Sequence, residues 1–207
     1  VGDAHPSVAG EALGALHACL APVFADCLQG GRGHSGSGGD TGVGEDGDRL
    51  GSALLALFQA LGDRRQGVKE GANGVLNALR ASLPAQQLFA ALGPRLGQVA
   101  ERVKTALLQY LGALAPHCGD YFETNRETSA LLVRLAVLGG DGSLGGGARP
   151  SASLLAAVKR LLEQMYRSAP GLVSQIAALP YQQQGALRRM LADTVPDIDS
   201  QVMLAGE

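Results

Sequence analysis

The chain has 207 residues and a net charge of -2, so it lacks the overall basic field that drives nucleic-acid binding. Aromatic residues make up only 4% with no Trp, and Leu and Ala fill the apolar stretches, which favours helices over a sheet and sets an all-α class. Three Cys make no disulfide framework, and neither a signal peptide nor a run of about 18 apolar residues appears, so a reducing intracellular setting without membrane insertion is expected. Beginning at Val1, the sequence reads as an excerpt of a longer protein.

Ser7 is placed to cap a helix running to Gln29, with Val8, Ala12, Leu16, Leu20, Phe24 and Leu28 on one side and Pro22 as a kink. Residues 30–48 hold nine Gly in nineteen positions and Val43 as their one apolar side chain. Nothing there offsets the entropy of ordering, so a flexible insertion is expected. Gly31, Gly33 and Gly36 match G-x-G-x-x-G, as do Gly140, Gly142 and Gly145. Neither follows a strand, and in Gly-rich loops chance alone produces the match.

From Leu54 to Leu83 the chain reads as two antiparallel helices. Leu54, Leu57, Phe58 and Leu61 form one stripe, and Val68, Ala72, Val75, Leu76 and Leu79 form the other. The elbow between them carries Asp63, Arg64 and Arg65. A second hairpin follows, from Pro84 to Gly97 with Pro94 interrupting, and from Val99 to Ala115 with Val103, Leu107, Leu111 and Leu114 as its stripe. Val103-Lys104 stands where Val68-Lys69 stood, with Gln98 in place of the turn Asp. Asp120 and Glu123 fit a capping box for a helix reaching Leu138. After a Gly-rich loop over 139–150, Ser151 to Ser168 completes a third hairpin, in which Leu155 takes the place of the basic residue. Short helices are expected over Gly171 to Leu179, Pro180 to Asp193 and a tail beyond Pro196, with Pro84 and Pro180 at first helical positions. Repeated hairpins at this spacing form a short solenoid, treated as one domain over 1–207.

Asp63, Val68, Lys69 and Ala72 hold the offsets of a HEAT-repeat turn. Glu101-Arg102-Val103-Lys104 through Tyr110-Leu111 resembles the C-terminal domain of the CLASP family, the cytoplasmic linker-associated regulators of microtubules. The resemblance continues through Gly119-Asp120-Tyr121-Phe122, Glu127-Thr128, Ala156-Ala157-Val158 to Tyr166, and Ala178-Leu179-Pro180. Ala186-Leu187-Arg188-Arg189 and Pro196-Asp197-Ile198-Asp199 are most similar to its plant and algal branch, and the likeness spans Leu54 to Asp199. It implies a TOG-like HEAT-repeat solenoid, located in the cytoplasm on microtubules. It also implies a role in recruiting adaptors at plus ends, kinetochores or cortex, such as a CLIP-type protein with a helical or coiled-coil segment. The alternative it implies is direct tubulin binding through the intra-repeat turns.

Chemistry of other kinds has little to stand on. His5, His17, His34 and His117 are scattered, and no Ser or Cys sits in a nucleophile elbow. His117-Cys118 and the Cys19, Cys27 pair lack C-x-x-C spacing, so neither metal nor cofactor is expected and an enzyme is not. Asp46, Asp48 and the pair Asp197, Asp199 read as solvated acids. The candidate partner-binding residues are Arg64, Arg65, Lys69, Arg102 and Lys104, expected to form one ridge along successive elbows. Without an aromatic anchor in the first elbow, and with Leu155 in the third, the adaptor reading is preferred over the tubulin one.

Overall fold

The structure, a computed structural model, describes residues 42–140, 150–195 and 197–206, with side chains from residue 47 onward. The expected helix from Ser7 to Gln29, residues 30–41 and residues 141–149 lie outside the described residues, and so do the two G-x-G-x-x-G matches apart from Gly140. Among the described residues every regular element is a helix. The chain divides into two compact units, Val1–Leu83 and Pro84–Glu207, where the sequence reading runs one domain throughout. The break falls at Leu83, whose backbone is extended (φ -105°, ψ 148°). The following Pro84 disfavours helical backbone there.

In the first unit α1 (Gly42–Ala60) packs against α2 (Gln66–Ser82). Leu50, Leu54, Leu57 and Phe58 of α1 are buried, as are Ala72, Leu76 and Leu79 of α2. Leu61, Val68 and Val75 are only half-buried, so the stripes are narrower than the apolar pattern implies. α1 also takes in the last seven residues, 42–48, of the stretch expected to be a flexible insertion. Once the Leu50 to Phe58 segment is fixed by packing, each further helical residue adds a hydrogen bond without a new nucleation cost, and the backbone propagates through poor helix formers.

The second unit carries α3 (Ala85–Leu92), a 3-10 segment (Gly93–Gly97), α4 (Glu101–Leu114), a 3-10 turn (Ala115–His117), α5 (Gly119–Thr124) and α6 (Glu127–Gly139). It continues with α7 (Ala152–Ser168), α8 (Leu172–Ala177), α9 (Tyr181–Leu191) and α10 (Ile198–Ala205). Its central seam is α4 on α7, and the 3-10 segment after α3 packs on α6. Second helix thus meets second helix, and the first leg of one hairpin meets the first leg of the next. α6 pairs with both α7 and α9, and α10 closes against α8.

Three local expectations are corrected. The capping box at Asp120 and Glu123 does not form: Cys118 precedes α5 without a side-chain cap, and Asp120 lies within the first turn. Cys118 is fully buried and its thiol donates to the Leu114 carbonyl at 3.4 Å, which fixes the helix start two residues too early for an Asp120 cap. The single helix expected through Leu138 is split instead at Asn125, whose extended backbone ends α5 and whose Oδ1 accepts the Glu127 N–H at 2.8 Å to open α6. Pro84 and Pro180 stand one position outside their helices. Their carbonyls accept the first N–H groups, from Gln87 and Leu88 and from Gln183 and Gln184.

The start of α5 also meets the end of α7 at backbone distance. A Cβ placed on Gly119 would lie 2.5 Å from the Ser168 carbonyl oxygen, whereas one on Gly74, on the exposed side of α2, meets nothing within 4 Å. Gly119→Ala is therefore expected to destabilise the fold by about 1–3 kcal/mol, because backbone must shift. Gly74→Ala is expected to stabilise it by about 0.5–1 kcal/mol through helix propensity alone. Urea denaturation of the two variants checks the opposite signs.

Candidate functional site

Among the described residues five helices begin alike: α3 and α9 after Pro84 and Pro180, and the three that bear the candidate lysines or Leu155. α2, α4 and α7 each follow a residue of extended backbone: Arg65 (φ -80°, ψ 119°), Ala100 (φ -62°, ψ 149°) and Ser151 (φ -63°, ψ 151°). The carbonyl of that residue accepts the fourth helical N–H, from Lys69 at 3.3 Å, from Lys104 at 3.1 Å and from Leu155 at 3.0 Å. Lys69, Lys104 and Leu155 therefore share one helical position, and Val68, Val103 and Leu154 share the one before it. Val103 and Leu154 are buried and Val68 half-buried, so the earlier position turns inward. Lys69, Lys104 and Leu155 are half-buried, at the boundary with solvent. Only Ser151 caps with its side chain, accepting the Leu154 N–H at 3.4 Å.

The candidate cations differ in what they are free to do. Arg65 is bound to Asp63 by two side-chain bonds of 3.1 Å, and its backbone N–H donates to the same carboxylate at 2.8 Å. The side-chain bond from Arg65, followed by the backbone bond from the same residue, holds the Asp63 carboxyl down at about 2, and the Arg65 guanidinium is pushed up in return. Arg65 is thus committed locally. Arg64 and Arg102 are exposed, and neither they nor Lys69 and Lys104 take part in an ion pair among the described residues. Arg64, Arg65 and Lys69 belong to the first unit, and Arg102 and Lys104 to the second. The basic residues therefore form two elbows, each with its own geometry.

The remaining chemical candidates are placed apart. His117 is exposed while Cys118 is buried, and burial pushes the Cys118 thiol up to about 11. No group of three or more His, Cys, Asp and Glu side chains gathers among the described residues. His5, His17, His34, Cys19, Cys27 and Asp46 fall on residues whose side chains are not described. Asp197 and Asp199 are exposed, as solvated acids are expected to be, and they stand at the start of the last short helix. Asp197 adopts left-handed backbone (φ 63°) at the start of α10, a conformation Asp tolerates better than most residues, and Asp199 stands 3.5 Å from the largely buried Arg188.

Several features carry no signal in the sequence pattern. Arg95, in the 3-10 segment, is 8% exposed and donates to the Ala91 carbonyl at 2.7 Å. Phe89, Tyr121 and Phe122 form a three-ring cluster, with the Phe89 and Phe122 centroids 4.9 Å apart edge to face. Tyr181, Met203 and Leu204 are largely exposed. No helix among the described residues is long and apolar enough to cross a membrane. No protein-family model matches the chain, and no curated protein matches it.

The Asp63 clamp has a measurable signature. Its carboxyl titrates lower in the fold than in the unfolded chain, so the stabilisation it adds is complete above about pH 4 and is lost as pH falls toward 2, and it is small because the pair is exposed. Carbon-detected NMR titration should place the Asp63 midpoint near 2. Arg65→Ala should return it toward 3.8.

Proposed function

We propose that the chain is a non-enzymatic protein-interaction module of a microtubule-associated regulator, similar to the C-terminal TOG-like, HEAT-repeat domain of CLASPs. In this reading it recruits an adaptor with a helical or coiled-coil segment at plus ends, kinetochores or cortex. The observation that carries the reading is the repeated helix start. Lys69 and Lys104 occupy one position in α2 and α4, at the solvent boundary and without an acidic partner among the described residues. That position lies in the first helical turn, where the helix dipole disfavours positive charge by about 0.3–1 kcal/mol. α2 has no acidic residue in its first turn to offset this, whereas α4 has Glu101. Helix stability therefore does not account for Lys69, whereas recognition of an acidic surface does.

The packing of hairpins in the second unit supports the repeat reading, with α4 on α7 and the 3-10 segment on α6. The third start carries Leu155, and Arg65 in the first elbow is taken up by Asp63, so the basic edge that a tubulin-binding array needs is incomplete. This favours the adaptor over tubulin. Two unpaired lysines act by steering an acidic partner, since each exposed contact contributes little by itself.

Purified tubulin and the purified coiled-coil segment of a CLIP-type adaptor separate the two partners. Stable association is expected with the coiled coil, and none with unpolymerised tubulin at micromolar concentration. Lys69→Glu with Lys104→Glu should slow association with the coiled coil about tenfold and flatten its salt dependence while helicity by circular dichroism is unchanged. Co-elution of tubulin that the same double substitution abolishes would replace the adaptor reading with the tubulin one.

A further inference from the structure

The two helices of the central seam in the second unit run parallel. A Cβ on Gly112 would stand 3.8 Å from the Leu161 Cα, and one on Gly119 would stand 2.5 Å from the Ser168 carbonyl oxygen. In both pairs the partner lies 49 residues further along the chain, so α4 and α7 point the same way and keep one register. Positions on the two helices can therefore be matched in height.

At about 100° and 1.5 Å per residue, Arg102 is turned about 80° from the contact at Gly112. By the same count Arg160 and Arg167 are turned about 100–120° in the opposite sense from the contact at Leu161. Parallel helices that face each other bring opposite turns onto one flank. All three arginines are exposed, as that placement requires, and none of their side chains takes part in a hydrogen bond or ion pair among the described residues. The acids beside α7 are turned elsewhere: Glu163 accepts from Thr194 at 2.6 Å, and Asp193 from Lys159 at 3.0 Å. Glu101 and Asp120, in the first turns of α4 and α5, stand at the two ends of the row rather than along it. Between the arginines the surface is low, with Ala106 and Ala113 half-buried on α4 and Ala156 exposed on α7.

We propose that this flank of α4 and α7 is the seat of an acidic helix of a partner protein. From Arg102 to Arg167 the row covers about 24 Å, the length of roughly four helical turns. Glutamates at every third or fourth position of a helix laid along it meet the guanidiniums, and the alanines let its backbone come close. Charge selects the partner, and helical spacing selects its form. The inference rests on the reading of the chain as an interaction module, and gives that module a second basic surface made from helix flanks rather than helix starts.

The test titrates the whole chain with a synthetic Ala/Gln helix of about 20 residues that carries Glu along one face. Saturable binding by fluorescence anisotropy is expected, with amide shifts at Gln109, Ala113 and Ala156. Arg160→Gln with Arg167→Gln should weaken it about fivefold, as loss of two exposed charge pairs predicts, with circular dichroism unchanged because no intramolecular partner is lost. Ala156→Tyr, which keeps the charge and raises the low surface, should weaken it as well. No binding of the helix overturns the proposal, and so does equal binding of an unstructured peptide of the same composition or of the two-arginine variant. The seat and the elbows fail separately. Association with the CLIP-type coiled coil that survives loss of both arginines but not Lys69→Glu with Lys104→Glu overturns the seat and leaves the elbow reading standing. Binding of the synthetic helix at the arginines by a chain that ignores the coiled coil supports the seat and removes that reading.

Discussion

The second unit depends on the close approach of α4 and α7. Leu107, Leu108, Leu111 and Leu114 on one helix and Leu154, Val158, Leu161, Leu162 and Met165 on the other are buried almost completely. The two backbones come near at Gly112, where a Cβ would make ordinary van der Waals contact with the Leu161 Cα at 3.8 Å. Each buried side chain of this size contributes about 1.5–3 kcal/mol relative to exposure. An exposed ion pair such as Lys159 with Asp193, at 3.0 Å, is worth about 0–1 kcal/mol. Apolar interlock on this one seam therefore outweighs the surface charges. α7 then carries the interlock outward, because α6, α8, α9 and the Ala115–His117 turn all rest on it.

Around that seam, side-chain amides close the short helices. Gln184 donates to both the Ala177 and Leu179 carbonyls, at 2.7 and 2.6 Å, satisfying acceptors that the end of α8 leaves without intrahelical partners. Gln175 on α8 donates to the Phe122 carbonyl of α5, a bond spanning 53 residues of sequence. Tyr166 donates to Gln201 at 3.0 Å and Thr194 to Glu163 at 2.6 Å, so α10 and the segment after α9 are each tied back to α7. A helix of six residues such as α8 is too short to be stable by itself, and these bonds give it an environment in which folding is favourable.

What was legible in the sequence was whatever repeats every three or four residues. Leu54, Leu57 and Phe58, then Leu107, Leu111 and Leu114, are buried as their spacing demands, and Pro94 does interrupt its helix. The spacing is silent where one contact from elsewhere in the chain decides a boundary. Asp120 with Glu123 has the capping pattern, yet burial of Cys118 sets the start of α5, and that depends on tertiary packing. Asp197 and Asp199 are exposed as their composition implies, and what spacing does not reveal is that Arg188 on α9 stands 3.5 Å from the second of them. Nothing in the spacing marks Arg95, and only the 3-10 turn brings its guanidinium onto the Ala91 carbonyl. The break at Asn125 was likewise hidden, because an Asn side chain bonding two residues ahead suits a turn as well as it starts a helix.

The candidate elbows show the same division between register and environment. The shared position of Lys69, Lys104 and Leu155 follows from the Val-Lys and Leu-Leu pairs alone, and the first-turn hydrogen bonds place all three alike. Which cations remain available does not follow from spacing. Asp63 lies two residues before Arg65, close enough for its carboxylate to hold both the backbone N–H and the guanidinium, so the most basic stretch of the first elbow is partly neutralised from within. At the second start Gln98 replaces that Asp, and Arg102 and Lys104 keep their charge unpaired among the described residues. If attraction to an acidic partner is what retains lysine at a position unfavourable to the helix, the second elbow should contribute more to steering per cation than the first. Lys104→Glu alone should then slow association with the coiled-coil segment more than Lys69→Glu alone. Stopped-flow association rates for the two single variants at low salt measure that difference, and equal effects would mean that the Asp63 clamp is electrostatically silent at the distance of encounter.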